Sequence, residues 1–144
     1  ERAALERAMT EQPLLNFHGI GEFMRPYIAT EAHRQKLRNA IREIRLCRIW
    51  LRAQPRRKTI NESSSSYWLK HLAEYEIGEY VCNGAFIAAS MIEGWKIKQC
   101  YPSSHSIYIN ISQKPITAHL ERLPERRRGC FFGHFPNESW FSEV

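Results

Sequence analysis

Aspartate is missing from the sequence, and all fifteen acidic residues are glutamate. Calcium loops and two-metal phosphoryl-transfer enzymes depend on short, stiff carboxylates, so this absence argues against both classes. A Gly-rich phosphate loop, a nucleophile elbow and an H-E-x-x-H motif are missing too. We therefore expect a protein that is not an enzyme and that needs no metal or cofactor.

The sequence also lacks paired cysteines and long apolar runs. Its four cysteines form no C-x-x-C pair, which a zinc ribbon or a thioredoxin-like site would use. We interpret Cys47, Cys82, Cys100 and Cys130 as free thiols, mostly in the core, with a secreted disulfide framework as the alternative. Because the chain has no apolar run of about 18 residues and begins with a charged segment, we expect a soluble intracellular protein without a membrane span.

The composition and the residue patterns of the chain predict one globular α+β domain over residues 1–144. Hydrophobic residues make up 43% of the chain and charged residues 25%, proportions that are ordinary for a sequence that folds. We predict four parts within this domain: a basic helical half at 1–58, a serine-rich linker at 59–66, a helix pair plus a β-hairpin at 67–123, and an irregular tail at 124–144.

Helical patterns dominate the first half. Residues 1–12 predict a short helix that Pro13 ends, and residues 14–29 predict a loop or broken helix packed by its aromatic side chains. Thr30 can cap a long helix that runs to about residue 53. The apolar residues that place one face of this helix in the core recur every three or four positions: Leu37, Ala40, Ile44, Cys47 and Leu51.

Two helices and a hairpin are predicted in the second half. The first helix covers 67–77 and is closed by Gly78, and the second covers 84–93 and is closed by Gly94. The alternating isoleucines of residues 107–111 predict a strand that pairs with a partner near Ile97. A further helical segment is expected at about 116–123.

The order helix, turn, helix and hairpin is that of a winged-helix domain, in which the second helix reads bases in the major groove. Between Gly84 and Gly94, however, Ser90 and Glu93 are the only polar side chains. Almost nothing is therefore offered to base edges, and we predict that this helix is central to the core.

Positive charge is concentrated in one segment. Residues 34–58 contain ten Lys or Arg against a single acid, Glu43, while the whole chain carries a net charge of +6. At 100° per residue, six arginines fall within an arc of roughly 120° on the long helix. We call them the arginine ridge: Arg34, Arg38, Arg42, Arg45, Arg48 and Arg52.

The ridge has two interpretations. Like charges at i, i+4 spacing repel, so a one-sided ridge favours an anionic partner, and arginine suits bidentate contact with phosphate. Alternatively, the ridge is a solvated face whose arginines pair with glutamates elsewhere. We predict contact with nucleic acid or an acidic partner through the ridge and through two basic clusters: Arg56, Arg57 and Lys58, and Arg126, Arg127 and Arg128.

The tail that contains the second basic cluster also carries several aromatic residues, from Phe131 to Phe141. Cations beside stacking surfaces suit single-stranded nucleic acid. The same composition also describes a tail that docks its aromatic side chains on the core.

One pattern of short motifs extends through part of the second half: Ser-Ser-Tyr at 65–67, Leu-Lys-His at 69–71, Glu74, Tyr-Val at 80–81 and Asn-Gly at 83–84. In this pattern the chain resembles small uncharacterised proteins of bacterial phages, plasmids and conjugative elements, and the resemblance covers about a third of the chain. The resemblance implies an origin on a mobile element, and with it a location in the bacterial cytoplasm, but no activity.

Within this pattern, His71 and Glu74 are three residues apart, a spacing suited to a general base or half of a metal site. No second pair completes such a site, and we expect His71 and Tyr75 to tie their helix to its neighbours through hydrogen bonds. A metal site formed by Cys82, Cys100 and His105 matches no standard spacing.

Three functions follow from these patterns. The first is a protein that binds nucleic acid through phosphates without reading sequence. The second is an inhibitor of a host factor, such as an anti-CRISPR protein that blocks a nuclease complex. The third, a small nuclease or toxin using His71 and Glu74, has the least support.

Overall fold

The computed structural model describes residues 1–22, 24–101 and 104–122. The predicted tail, with Arg126, Arg127, Arg128 and Cys130, lies outside these residues. The helices are α1 (Arg2–Glu11), α2 (Glu31–Arg38), α3 (Ile41–Arg52), α4 (Ser66–Ile77), α5 (Asn83–Ile92) and α6 (Gln113–Arg122). The strands are β1 (Leu15–Asn16), β2 (Gly19–Ile20), β3 (Arg56–Asn61), β4 (Ile97–Gln99) and β5 (Ile107–Ile111). The fold is α+β, as the sequence predicts.

Helix α5 occupies the centre of the molecule. Every residue from Asn83 to Ser90 is buried, and α1, α3 and α4 pack around the helix. Gly84 sits so close to β1 that a Cβ atom there would lie 1.9 Å from the Asn16 carbonyl oxygen. The prediction that this helix is core rather than a base-reading element is confirmed, although it begins one residue earlier than expected, with Cys82 in the capping position.

The predicted hairpin is present and belongs to a larger sheet. Strand β5 lies between β3 and β4, and both pairings are antiparallel. Ile107, Ile109 and Ile111 are fully buried on the inner face. Strand β3 was not predicted, because its first four residues are exposed and largely basic, so they show no alternation of apolar and polar side chains.

The prediction of one continuous helix from Thr30 to about residue 53 is wrong, because Asn39 and Ala40 separate α2 from α3. The backbone N–H of Ala40 bonds to the carbonyl of Leu37, which is a tighter turn, and Ala40 then leaves the helical conformation. The break lets α2 pack on β1 while α3 packs on α5. The Thr30 cap is confirmed, since its side chain accepts a hydrogen bond from the backbone N–H of His33.

The segment expected to be a loop or broken helix contains the short hairpin β1–β2, in which Leu15 pairs with Ile20. Strands of two residues give no readable periodicity. The predicted linker at 59–66 is likewise only partly a linker, because β3 extends to Asn61.

Candidate functional site

Five of the six ridge arginines form ion pairs with glutamates within the molecule. The pairs are Arg38 with Glu6 and Glu31, Arg42 with Glu79, Arg45 with Glu1, Arg48 with Glu1 and Glu93, and Arg52 with Glu93. Hydrogen bonds from Arg52 and Arg48 lower the pKa of Glu93, and the bonds to Glu6 and Glu31 raise the pKa of Arg38. Five arginines thus face five glutamates, so their positive charge is compensated where it lies.

The sixth ridge arginine, Arg34, contacts main-chain carbonyls instead. Its guanidinium donates to the carbonyl oxygens of Met9 at 3.0 Å and Leu15 at 3.1 Å, and to that of Pro13. These carbonyls lie at and beyond the C-terminal end of α1, where helices leave acceptors without partners. Arg34 therefore joins α2 to the end of α1.

A second group of cations lies on the sheet and has different partners. We call Arg56, Arg57, Lys58 and Lys96 the sheet-edge cations; all four are exposed. Arg56 donates to the carbonyls of Gly94 and Glu93 and lies over the Trp95 ring, 4.3 Å from its centre. Among the described residues, none of the four forms an ion pair with a glutamate.

The hydrogen bonds of the Arg57 and Lys96 side chains also end on carbonyl oxygens. Arg57 donates through Nε to Thr59 at 3.0 Å and through Nη2 to Ile60 at 2.8 Å. Lys96 Nζ donates to the Lys58 carbonyl at 2.8 Å. Because β5 lies between β3 and β4, the Lys96 side chain crosses the outer face of β5 to reach β3. A carbonyl orients a cation but does not neutralise it, so positive charge remains uncompensated on this face.

The outer face continues along β4. Lys98 lies directly opposite Tyr108 in the register of β4 and β5, and it forms an ion pair with Glu62. Both members of this pair are more than half exposed. Lys96 and Lys98 could not be recognised from the sequence as part of this surface, because only the pairing of β4 with β5 brings them to the face that carries β3.

Several polar residues of α4 and of the start of α5 meet in a buried cluster. Glu74 is 1% exposed and accepts hydrogen bonds from Lys70 Nζ at 2.8 Å, His71 Nδ1 at 3.0 Å and the backbone N–H of Val81 at 3.2 Å. Burial alone would raise the pKa of Glu74, but the bond from His71 and the charge of Lys70 lower it. Burial lowers the pKa of His71.

Ser66 and Asn83 link this cluster to the sheet and to β1–β2. The Ser66 hydroxyl donates to Asn83 Oδ1 at 2.9 Å and accepts from the backbone N–H of Ile107 at 3.0 Å. Asn83 Nδ2 donates to the His18 carbonyl at 2.9 Å. Each of these polar groups joins separate elements, so the cluster holds α4, α5, β5 and the β1–β2 hairpin together.

A cavity of about 510 Å³ lies beside the cluster. Lys70, Glu74 and Asn83 line it together with His18 and His105. Burial lowers the pKa of both histidines. In the described part of the chain no three His, Cys or Glu side chains form a group that could hold a metal ion, and this includes the combination of Cys82, Cys100 and His105.

The three cysteines that the structure describes, Cys47, Cys82 and Cys100, are free thiols. Within the described residues, no helix combines the length and apolarity that crossing a membrane requires. Comparison of the chain with family models, with curated proteins and with solved structures finds no match.

Proposed function

We propose that the protein binds nucleic acid through its phosphates, without reading base sequence, at the sheet-edge cations. The observation that carries this proposal is the difference between the two basic surfaces. Five of the six ridge arginines are compensated by carboxylates. Arg57, Lys58 and Lys96 are exposed and form no ion pair with a glutamate among the described residues, and the side chains of Arg57 and Lys96 bond to main-chain carbonyls. A phosphate bound there displaces no carboxylate.

The geometry of Arg57 and Lys96 suits this role. Their carbonyl contacts hold the side chains along the sheet, which reduces the loss of conformational entropy when a phosphate binds. Arg57 uses Nε and Nη2 for these contacts and keeps Nη1 as a donor. A phosphate that approached the ridge would instead compete with ion pairs that are already formed.

Sequence-independent binding agrees with the burial of α5, the helix that would read bases in a winged-helix domain. The ridge arginines and the cluster at Arg126, Arg127 and Arg128 remain predicted contacts of the same polyanion. They are secondary in this proposal, because the ridge would first have to release its glutamates.

The experiment is a fluorescence anisotropy titration of random-sequence DNA and RNA at about 50 mM and about 200 mM salt. Release of counterions from the phosphates makes affinity fall with salt, and for about four phosphate contacts we expect a loss of at least about tenfold. Binding that is absent or insensitive to salt would contradict the proposal and would favour a protein partner instead.

A further inference from the structure

We infer that the nucleic acid is single-stranded and that a cavity at the end of the sheet receives one of its unstacked bases. This inference rests on the proposed function, since the sheet-edge cations must hold the backbone. The cavity has a volume of about 570 Å³. It lies between the start of α4, the end of β4 and the start of β5. This is within the usual size range of small-molecule sites.

The walls of this cavity suit a nucleobase. Trp68, Tyr101 and Tyr108 supply aromatic rings, and Ser63 and Ser104 supply hydroxyl groups. Aromatic rings stack on any base, while hydroxyl groups can donate to or accept from its polar edge. Burial raises the pKa of Cys100 to about 11, so this thiol in the wall stays protonated near neutral pH. Glu62 also lines the cavity, and its carboxylate forms an ion pair with Lys98.

The cavity is next to the cations in the register of the sheet. Tyr108 lines the cavity and lies opposite Lys98. Asn110, two residues further along β5, bonds to the backbone N–H of Lys96 through Oδ1 and to the Arg57 carbonyl through Nδ2. One outer face therefore leads from Arg57 and Lys96 past Lys98 to the aromatic wall.

This arrangement distinguishes single strands from duplexes. In a duplex the bases are stacked and paired, so none can enter the cavity without being unstacked. In a single strand the backbone can follow the cations while a neighbouring base turns into the cavity, as in other proteins that combine a basic track with aromatic platforms.

The test compares a single-stranded oligonucleotide of about 12 nucleotides with a duplex of the same sequence, at low salt. We expect the wild-type protein to bind the single strand more tightly. The double variant Tyr101→Ala/Tyr108→Val should weaken single-strand binding about tenfold and leave duplex binding unchanged. Tyr27→Ala, which removes a tyrosine that is 78% exposed and does not line the cavity, is the matched control and should change neither.

The outcomes separate the inference from the proposed function. Equal binding of both forms, together with no effect of the tyrosine variant, would overturn the inference while leaving phosphate binding intact. Binding of nucleic acid that does not depend on the sheet-edge cations would instead overturn the proposed function. If the double variant melts at a lower temperature than the wild-type protein, the single variant Tyr101→Ala replaces it in the binding comparison. Tyr101 is 60% exposed, so its truncation leaves the core untouched.

Discussion

The carboxylate of Glu74 is the most deeply buried charge in the described cluster, and its surroundings show how the fold accommodates it. Taking an ion pair out of water costs several kcal/mol per ion, and this cost is offset only where geometry is good and other hydrogen bonds complete the shell. Lys70, His71 and the Val81 N–H together provide three donors to Glu74. Only the Val81 N–H lies outside α4, so Glu74 joins this helix to the segment that precedes α5. That His71 ties its helix to its neighbours stays a prediction.

Replacing Glu74 by Gln should destabilise the protein by about 3–5 kcal/mol, because the Lys70 ammonium would remain buried without its carboxylate. The double variant Lys70→Met/Glu74→Gln removes both charges and should recover part of the loss. Thermal unfolding of the two variants checks this. A double variant that is less stable than Glu74→Gln would show that the ammonium is stabilised by other contacts.

Stability should fall as the pH is lowered from about 7.5 to about 5.5. Burial lowers the pKa of His18, His71 and His105 from the usual 6.5, so the unfolded chain binds protons at a higher pH than the folded protein does. Each histidine therefore destabilises the folded protein as the pH falls through the pKa that the histidine has in the unfolded chain. Melting temperatures across this range measure the effect, and His18→Asn/His105→Asn should reduce the slope. A melting temperature that rises on acidification is incompatible with neutral buried histidines.

At the scale of elements, the contact between α5 and β1 allows almost no extra volume. Gly84→Ala would place a Cβ atom 1.9 Å from the Asn16 carbonyl oxygen, which is main chain and cannot rotate away. We expect a loss of about 3 kcal/mol or more, since β1 must move. The control is Gly94→Ala, where a Cβ meets nothing within 4 Å and only the positive φ of 73° adds strain, of about 1–2 kcal/mol. Similar melting temperatures for the two variants would place this close contact in doubt.

The elements that the sequence predicts correctly are those whose own residues determine them. The isoleucines of β5 alternate, and α4 ends at Gly78 in the left-handed conformation. The break at Asn39 and Ala40 has no such local cause, since neither residue is glycine or proline. It follows from the packing of α2 and α3 on different elements, which no local pattern reports.

The same distinction applies to the candidate site. The concentration of arginine and the cluster at 56–58 are visible in the sequence, and so are the two interpretations of the ridge. Which arginines are compensated is not visible, because Arg42 meets Glu79 and Arg52 meets Glu93 only after α3, α4 and α5 have packed. Lys96 joins the site through the sheet register alone.

On the scale of the whole molecule, ion pairing distinguishes the arginine ridge from the sheet-edge cations. Five of the six ridge arginines on α2 and α3 are paired with glutamates, whereas Arg57, Lys58 and Lys96 form no ion pair with a glutamate among the described residues. The proposed function therefore places the polyanion on the sheet, and the net charge of +6 favours the approach of a polyanion from any side.

The most direct measurement compares two triple variants that remove the same formal charge. Arg57→Gln/Lys58→Gln/Lys96→Gln changes three of the four sheet-edge cations, and Arg42→Gln/Arg45→Gln/Arg52→Gln changes three exposed ridge arginines. Affinity for a single-stranded oligonucleotide is measured over a range of salt for both variants, once each is shown to melt cooperatively. The sheet variant should lose at least about tenfold in affinity, and its salt slope should fall by about 2, while the ridge variant changes less than about threefold. If the ridge variant loses as much affinity as the sheet variant or more, the arginine ridge is the interface and the sheet-edge assignment is wrong.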